Sequence, residues 1–436
     1  MRQQPAPSAL RGRIADLING NGMSQDCYTR MLDYTIDLFE SQGLGQDYYG
    51  YHNISHELEV TYVTLLSATR SGLPHKDLKY LYVAALFHDF DPQKSVDKPH
   101  EEHVIRFISL DRQLQGLLGE AEIDLEIIKC LIHRTTFPWS GRIKEKTEKK
   151  MERCLLDSPI TRDDPPAQEH YKELGWYLSI ADRVAGYSLG SFPRAMELSK
   201  MNAHAMAWHP SLIVRRAVEY FEYMLSNEGP MLQRVLASLP KLMRRNFMST
   251  VLAFFDLRQH EIRIQADYLY ANLRMIPVIE KMSMRQKPEF ASALRAIYDE
   301  LPKPLQFESE RFDESIRDPG TILNTLRLRG LRGEIVGFAK GGPLEDYELR
   351  PEIRDENNGL NNTIFLEPIA LKMGYWGMNG GSEMRHLFTM QAHSKKFRFL
   401  TGFSLRDVIR KRVEAEEAEF VALFDPERWD YYRIRL

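Results

Sequence analysis

The sequence predicts a multidomain protein in which an all-α domain precedes an α+β domain. Three observations support this class: the length of 436 residues, helical apolar periodicity from residue 25 to about residue 303, and short strand-like segments between glycine-rich turns beyond residue 320. A chain of this length exceeds one ordinary hydrophobic core. We therefore divide it into an N-terminal extension, a helical domain, a helical linker and an α/β domain, which span residues 1–24, 25–210, 211–284 and 285–436.

Successive helices are predicted over residues 25–135, where apolar residues recur at helical spacing. Leu78–Phe87 is almost entirely apolar, which predicts a fully buried helix that runs into His88 and Asp89. Another helix is predicted from Ile123 to Ile132, and it must stop before Pro138 because proline cannot continue a helix.

The next segment, residues 141–170, is dense in charge and proline, so we predict a solvated loop or insertion. A helix resumes from Leu174 to Ala185, and the pattern stays helical from about residue 211 to residue 303. Beyond residue 320 we predict a helix over Glu383–Ala392 and four strands, which are Thr321–Leu328, Glu334–Lys340, Thr363–Leu371 and Phe397–Leu400.

Composition narrows the class of partners. Hydrophobic residues make up 43% and charged residues 27% of the chain, as in soluble globular proteins. The net charge of −3 argues against a nucleic-acid partner. No segment approaches the ~18 apolar residues of a membrane span, and residues 1–7 lack the apolar core of a signal peptide. We therefore expect a cytoplasmic protein without membrane contact.

Cysteine usage restricts the metal chemistry. The three cysteines, Cys27, Cys130 and Cys154, are too few and too widely spaced for a disulfide framework or a zinc ribbon. Any metal site must therefore be built from histidine and carboxylate side chains.

Ionisable residues stand at the ends of, or within, the predicted apolar helices. Such groups are unfavourable to bury unless a metal ion or a partner compensates them. They fall in four segments, Tyr51–His56, His88–Asp91, His133–Pro138 and Ile180–Arg183. Within the first segment, His52 and His56 share one helical face if the helix has begun by His52. Imidazoles and carboxylates together suit a divalent Mn, Fe, Zn or Mg ion and leave coordination positions open for water.

This chemistry would suit hydrolysis of a phosphoester. A divalent metal lowers the pKa of a bound water from ~16 toward ~7. Asp89 could bridge two metal ions and orient the resulting hydroxide, and a protonated His52 could donate to the leaving oxygen.

The order His56, His88-Asp89 and Asp182 resembles the HD superfamily of metal-dependent phosphohydrolases. Tyr51–His56 is similar to the Tyr-His-Asn-x-x-His signature of cyclic-nucleotide phosphodiesterases, and His88–Asp91 is similar to their His-Asp-x-Asp motif. The resemblance covers residues 25–210 and implies that His52 is the general acid. The metal ligands that it implies are His56, His88, Asp89 and Asp182.

The chain also departs from that family. Pro92 replaces the histidine that follows the His-Asp-x-Asp motif, and the glutamine that holds the purine has no identified counterpart. The resemblance therefore implies a phosphoester substrate, with a cyclic or a free nucleotide as alternatives.

The number of metal ions depends on further histidines. Many two-metal HD proteins supply two more histidines between the His-Asp pair and the last aspartate, and the candidates here are His100, His103 and His133. Alternatively, His100 and His103 are surface residues at the start of a helix, and His133 is a C-terminal histidine stabilised by the helix dipole. Some HD-fold proteins are mixed-valent di-iron oxygenases with six ligands. An oxygenase activity is therefore the alternative to phosphoester hydrolysis.

The predicted α/β domain resembles the GCN5-related N-acetyltransferase fold over about residues 285–436. Trp376–Gly381 lies where that family has its acetyl-CoA loop. Trp376 stands where Gln or Arg is usual, and Asn379 replaces the first glycine but can adopt the same left-handed backbone. The resemblance implies cofactor contacts by Trp376, Gly377, Asn379, Gly380 and Gly381.

Catalysis in this domain would need an acid and a base. Glu367 is a candidate base, and Tyr431 or Tyr432 is a candidate acid. We favour a catalytically silent sensor or packing module for this domain, and the alternatives are an active acyltransferase or another fold.

We therefore expect a metal-dependent phosphohydrolase with one or two divalent ions, fused to an acetyltransferase-like domain that binds acetyl-CoA. The expected partner is a small-molecule phosphoester, and a homodimer is compatible with the sequence. The rivals are the di-iron oxygenase and a non-catalytic protein that senses nucleotide or CoA ligands.

Overall fold

The computed structural model describes residues 7–42, 50–93, 99–206, 208–307, 309–349, 353–425 and 429–436. The chain forms two compact units. Unit 1 comprises the described residues within 1–206 and 216–254, and unit 2 those within 207–215 and 255–436. No helix among the described residues is both long enough and apolar enough to cross a lipid bilayer.

Unit 1 is helical throughout its described residues, as the sequence predicts. Two of its helices, α11 and α13, continue into unit 2. The helices are α1 Pro7–Gly20, α2 Asp26–Ser41, α3 Ile54–Arg70, α4 His75–Phe87, α5 Glu101–Leu110, α6 Arg112–Glu120, α7 Leu125–Arg134, α8 Gly141–Asp157, α9 Pro165–Ser188, α10 Phe192–Ala205, α11 Ile213–Asn227, α12 Gly229–Ser238 and α13 Lys241–Tyr270.

The core of unit 1 is built from α3, α4, α7 and α9, which pack against one another. All of α4 from Tyr80 to Phe87 is buried, which confirms the prediction of a fully buried helix. The contact between α7 and α9 is close because Gly175 has no side chain: a Cβ atom there would lie 3.0 Å from the Cβ of Arg134. These helices carry the histidines and carboxylates of interest.

Residues 141–170 are helical over most of their length, so the predicted loop is wrong. The buried side chains of α8, Thr147, Met151, Cys154 and Leu155, recur at helical spacing, and the lysines and glutamates between them are half-buried or exposed. Asp164 accepts a hydrogen bond from the Ala167 N–H at 3.0 Å, which caps α9. The prolines of this segment thus begin a helix, because the first turn needs no N–H donors.

The predicted N-terminal extension contributes to unit 1. Residues 7–20 form α1, which packs against α3 through its buried face of Leu10, Ile14 and Ile18. Residues 1–6 lie outside the described residues. The predicted boundary between residues 284 and 285 falls inside unit 2, whose second segment begins at residue 255.

Unit 2 is an α+β unit with a mixed sheet of eight strands. The strands follow the order β1-β2-β3-β4-β6-β8-β7, and β5 pairs with β3. The elements after α13 are β1 Met275–Ile279, α14 Met282–Arg285, α15 Pro288–Tyr298, α16 Phe312–Arg317, β2 Ile322–Leu328, β3 Ile335–Pro343, β4 Thr363–Leu366, β5 Ala370–Leu371, α17 Gly380–Ser394, β6 Phe399–Leu405, α18 Arg406–Glu414, β7 Glu419–Asp425 and β8 Trp429–Arg435.

Adjacent strands pair antiparallel except β4 and β6, which are parallel and are joined through α17. Alternate residues of β2 face opposite sides of the sheet. Leu326 packs with Met384 and Phe388 of α17 on one side, and Leu323 packs with Phe290 of α15 on the other. The sheet is therefore covered by helices on both faces near β2 and β3.

Three details differ from the prediction. Met275–Ile279 lies in a segment predicted to be helical but forms the edge strand β1, where Pro277 is tolerated because an edge strand leaves one row of N–H groups unpaired. The predicted strand Thr363–Leu371 divides into β4 and β5 around Glu367 and Pro368, and proline cannot donate to the ladder. The strands β7 and β8 were not predicted.

Candidate metal centre

The first turn of α3 positions two histidines. The Asn53 side chain caps the helix by accepting a hydrogen bond from the His56 N–H at 3.2 Å, and its amide donates to the Gly50 carbonyl at 2.8 Å. His52 therefore precedes the helix, and the shared helical face predicted for His52 and His56 is not formed. Both imidazoles nevertheless reach Asp89.

Two other segments complete the cluster. α4 ends at Phe87, so His88 and Asp89 lie at a helix terminus, where consecutive side chains can point to the same place. Asp182 comes from the middle of α9, which is 24 residues long. The structure brings together all four residues that the sequence predicts as metal ligands.

The distances within the cluster are short and similar. The Oδ2 atom of Asp89 lies 3.3 Å from Nε2 of His56 and 3.4 Å from Nε2 of His88. The Oδ1 atom of Asp182 lies 3.2 Å from Nε2 of His56 and 3.7 Å from Nε2 of His88. Each imidazole thus faces both carboxylates through the same nitrogen.

The charges of the cluster shift its pKa values strongly. Burial lowers the pKa of His56, but the close contacts and negative charges of Asp182 and Asp89 outweigh it and raise the pKa to about 9. The pKa of His88 is raised in the same way, against its burial, mainly by the charges of Asp89 and Glu57. Burial alone would raise the pKa of Asp182, yet the nearby imidazoles of His56 and His88 hold it far below its usual range. Without a metal ion, protons on the imidazoles compensate the carboxylates.

These residues fit a divalent cation. The Nε2 atoms of His56 and His88 are buried and make no hydrogen bond within the described part of the chain. Separations of 3.2–3.7 Å match the edges of a coordination polyhedron with bonds of about 2.1 Å. His56, His88 and Asp182 offer three ligand atoms that lie within 4.8 Å of one another. The imidazole and carboxylate donors suit Zn, Mn or Fe.

Solvent reaches one side of the cluster. His56 and His88 are buried, whereas the side chains of Asp89 and Asp182 keep 14% and 18% of their surface exposed. His52, whose Nδ1 atom lies 2.8 Å from Oδ2 of Asp89, is 21% exposed. A small substrate can therefore approach the carboxylates and His52.

The remaining histidines lie in other surroundings. His103 contacts Asp91 with its Nδ1 atom 3.2 Å from Oδ2, and the His100 N–H donates to the same oxygen at 3.2 Å. His133 is buried in the last turn of α7, where burial, with the charge of Lys150, lowers its pKa to about 4. Among the described residues, none of these three belongs to a group of potential metal ligands.

Sequence reasoning did not identify Glu57. This residue follows His56 on α3, is fully buried, and places its Oε1 atom 3.3 Å from Nδ1 of His88. The available signal was weak, since Glu57 adjoins the predicted ligand His56 but lies among other polar residues, Ser55 and Glu59.

Two tryptophans of unit 1 belong to a buried ion network. Glu228 accepts from Arg134 at 3.1 Å and from Arg183 at 3.2 Å, and it also accepts from the Trp176 indole N–H. The ring centroid of Trp139 lies 3.9 Å from the Arg134 guanidinium carbon. Two guanidinium groups therefore share one carboxylate, and one of them belongs to Arg183, which follows Asp182 on α9.

In unit 2, the predicted acetyl-CoA loop forms a turn into α17. Asn379 adopts the left-handed conformation with φ of 63°, as its substitution for glycine predicts, and Gly377 has φ of 81°. Asn379 makes no side-chain cap, and its amide donates instead to Glu383 at 3.1 Å. Gly380 is packed closely, since a Cβ atom there would lie 2.4 Å from Leu326 Cδ2. Gly381, which follows it in the first turn of α17, is half-buried.

Other predicted residues of unit 2 are held in buried contacts. Trp376 packs against the core of unit 2, and its ring lies edge-on to His209 with centroids 5.6 Å apart. Glu367 is buried and accepts from Lys340 and from the Tyr347 hydroxyl, the latter at 2.8 Å. Tyr431 donates to Asp355 at 2.7 Å, and burial raises its pKa far above its usual range. Tyr432 is buried in β8.

Comparisons with known proteins concern the C-terminal part of the chain. No protein-family model matches the chain, and no curated protein matches it by sequence. Solved structures similar to 37–38% of the chain are acetyltransferases. They include a GNAT-family acetyltransferase from Staphylococcus aureus, with 10% identity, a TM-score of 0.27 and 99% of that chain covered.

Two further structures give similar values. A ribosomal-protein-alanine N-acetyltransferase from Brucella melitensis shows 13% identity and a TM-score of 0.25, with 37% of this chain and 99% of that chain covered. An acetyltransferase from Thermus thermophilus shows 14% identity and a TM-score of 0.24, with 38% and 98% covered. With identities and TM-scores this low, the likeness carries no conclusion about the activity of this chain.

Proposed function

We propose that unit 1 is a metal-dependent phosphohydrolase that acts on a small phosphoester, such as a cyclic or free nucleotide. The observation that carries the proposal is the convergence of two carboxylates and two buried imidazole nitrogens that make no hydrogen bond among the described residues, at one partly exposed point. The arrangement favours a cation with an open coordination side over a closed structural site.

His56, His88, Asp89 and Asp182 would hold the cation. When bound, a divalent cation supplies Lewis-acid polarisation of a phosphoryl oxygen and of a water molecule. Asp89 orients His52 through the 2.8 Å contact at Nδ1. The Nε2 atom of His52 has no partner within the described ranges, so it can hold the proton that the leaving oxygen takes up.

The test combines metal content with turnover. The protein is loaded with Mn²⁺, Zn²⁺, Fe²⁺ or Mg²⁺, its metal content is measured by mass spectrometry, and hydrolysis of bis(p-nitrophenyl) phosphate and of nucleotides is followed. We expect His88→Ala and Asp182→Ala to lose metal and activity together. His170→Ala is the matched control, because His170 pairs with Asp77 at 2.9 Å elsewhere in unit 1. Normal metal binding by His88→Ala, or an inert metal-replete protein, would contradict the proposal.

The measured metal content also distinguishes a phosphohydrolase from the alternative, a di-iron oxygenase. A six-ligand centre would require two further histidines in addition to the cluster, His133 and one of His100 or His103. Two irons per chain with an oxygen-dependent electronic spectrum would support that oxygenase, and one redox-inactive metal would exclude it.

For unit 2 we propose a binding role toward a CoA-type ligand, without acyl transfer. The supporting observation is the turn at Asn379, which leaves the first N–H groups of α17 without a side-chain cap. Such a helix terminus suits a pyrophosphate. The candidate base Glu367 already pairs with Lys340, and the candidate acid Tyr431 already pairs with Asp355.

Calorimetry with CoA and acetyl-CoA tests this second proposal. Space is open at Gly381, where an added Cβ atom would lie 3.8 Å from Leu371 Cδ1. Gly381→Asp should abolish binding by repelling the pyrophosphate, while a carboxylate in the first turn leaves the helix stable. Gly381→Ala is the control and should bind normally. Equal binding by both variants, or none by the wild type, would contradict the role.

A further inference from the structure

We propose that Glu57 is a positioning residue that fixes the imidazole of His88 so that its Nε2 atom, and not Nδ1, is offered to the metal ion. The inference rests on the metal centre of the proposed function and is independent of whether a phosphoester is hydrolysed. Glu57 lies near the Nδ1 atom of His88, on the opposite edge of the ring from the Nε2 atom that faces Asp89 and Asp182. Glu57, His88 and Asp89 could also form a metal-holding group of their own, and the proposal assigns the ion to the Nε2 side instead.

Glu57 contacts two consecutive ligands with one oxygen. Its Oε1 atom lies 3.3 Å from Nδ1 of His88, and it accepts from the backbone N–H of Asp89 at 3.5 Å. The side chain is fully buried on the first turn of α3, next to His56. A single carboxylate thus connects the helix that carries one ligand to the helix end that carries two.

The two nitrogens of His88 have distinct surroundings. Nδ1 faces acceptors, the Ala85 carbonyl at 3.0 Å and Glu57 at 3.3 Å, so it carries the proton. Nε2 faces Asp89 and Asp182 at 3.4 and 3.7 Å and has no hydrogen-bond partner. A metal-binding histidine whose other nitrogen donates to a carboxylate is held in one tautomer and becomes a stronger ligand.

The burial of Glu57 is explained if its carboxylate holds a histidine that binds a metal ion. Its second oxygen, Oε2, makes no hydrogen bond to any residue that the structure describes, and no lysine or arginine pairs with it there. A carboxylate at this depth without a lysine or arginine partner is unfavourable unless another cation lies nearby. Glu59, two residues further along α3 and also buried, is instead paired with Arg194. The two glutamates therefore form a natural comparison.

The first measurement is metal affinity. Dissociation constants for Zn²⁺ and Mn²⁺ are determined for the wild type, Glu57→Gln, Glu57→Ala and the control Glu59→Gln. Loss of a carboxylate behind a histidine ligand weakens metal binding by about 10- to 100-fold. We expect about 10-fold for Glu57→Gln, which keeps an acceptor oxygen, about 100-fold for Glu57→Ala, and no change for Glu59→Gln.

The second measurement uses the wild type and does not depend on whether the Glu57 variants fold. In zinc-loaded protein labelled with ¹⁵N-histidine, His88 should show a protonated, hydrogen-bonded Nδ1 and a metal-bound Nε2, identified by loss of its signals in His88→Asn. Coordination through Nδ1, or the absence of that proton signal, would overturn the inference.

The outcomes separate the two proposals. If the wild type and His88→Ala bind metal equally, the metal centre itself fails. If binding is lost in His88→Ala but is unchanged in Glu57→Gln and Glu57→Ala, the centre stands and the role of Glu57 alone is wrong.

Discussion

The Oδ1 atom of Asp182 lies 3.2 Å from the Nε2 atom of His56, so the middle of α9 faces the first turn of α3 across the candidate metal centre. The close contact with Asp182 is the largest of the influences that raise the pKa of His56 to about 9 against the effect of burial, and the contact with Asp89 comes next. The relationship makes Asp182 both a prospective ligand and the main electrostatic partner of His56.

Asp182→Asn should therefore lower the pKa of His56 in the metal-free protein and abolish metal binding. The amide keeps the size of the side chain but removes its charge. An NMR titration of the histidine ring protons measures the first effect, and metal analysis measures the second. An unchanged His56 midpoint would contradict the assigned contact.

Metal affinity should rise with pH between about 6.5 and about 9. In the metal-free protein His56 keeps its proton up to a pKa of about 9, and metal binding must release it. Affinity should rise by up to about tenfold per pH unit for each proton displaced. Calorimetry in buffers of different ionisation enthalpy counts the protons, and a pH-independent affinity would contradict the prediction.

The metal-free protein should also lose stability over that pH window. The pKa of His56 is raised on folding from an ordinary value of 6.5, so its stabilising contribution is complete below pH 6.5 and disappears as the pH rises through about 9. Thermal melting at pH 6 and pH 9.5 should show a decrease in Tm without metal. The metal-loaded protein should show a smaller decrease, since the cation then replaces the proton.

His52→Asn should reduce turnover by about 100- to 10,000-fold and leave metal binding intact, because His52 acts as an acid and not as a ligand. The loss should be smaller for a substrate with a p-nitrophenolate leaving group, which needs no protonation, than for one with an alkoxide leaving group. Equal losses for both substrates, or loss of the metal, would show that His52 does not act as the acid.

Glu228→Ala should destabilise unit 1 by about 3–5 kcal/mol, since it leaves two buried guanidinium groups, Arg134 and Arg183, without their carboxylate. Glu173→Ala is the comparison, because Glu173 pairs with Arg234 on the surface and should change stability by about 0–1 kcal/mol. Denaturant unfolding measures both, and similar values would contradict the structural role of Glu228.

Most helices of unit 1 and its candidate ligands could be predicted, because the patterns that indicate them lie in short segments of sequence. The apolar run of α4 predicted a buried helix that ends at His88, and the ordered histidines and aspartates predicted the cluster. The helix α8 was not predicted, because its few buried residues are separated by many charged residues, although their spacing is helical. The Asp164-Pro165 pair was a helix start signal that the charge density of the segment obscured.

The rest depended on tertiary context. A glutamate such as Glu57 looks in sequence like any exposed helical glutamate, and its role follows from the approach of α4 to α3. The edge strand β1 has five residues and a proline, which is too weak a pattern to distinguish from its helical surroundings. In unit 2, the left-handed Asn379 was predictable, because few other residues can replace glycine there.

The distribution of the cluster over α3, the end of α4 and α9 has a kinetic consequence. A cation held by all three segments can leave only when one of them moves away, so its exchange rate should follow local opening of the unit and not diffusion from a surface site. Bound metal would in turn protect the backbone amides of α9 around Asp182 from hydrogen exchange, in proportion to its concentration over its dissociation constant. Retention of the ion would then report whether unit 1 has completed its folding.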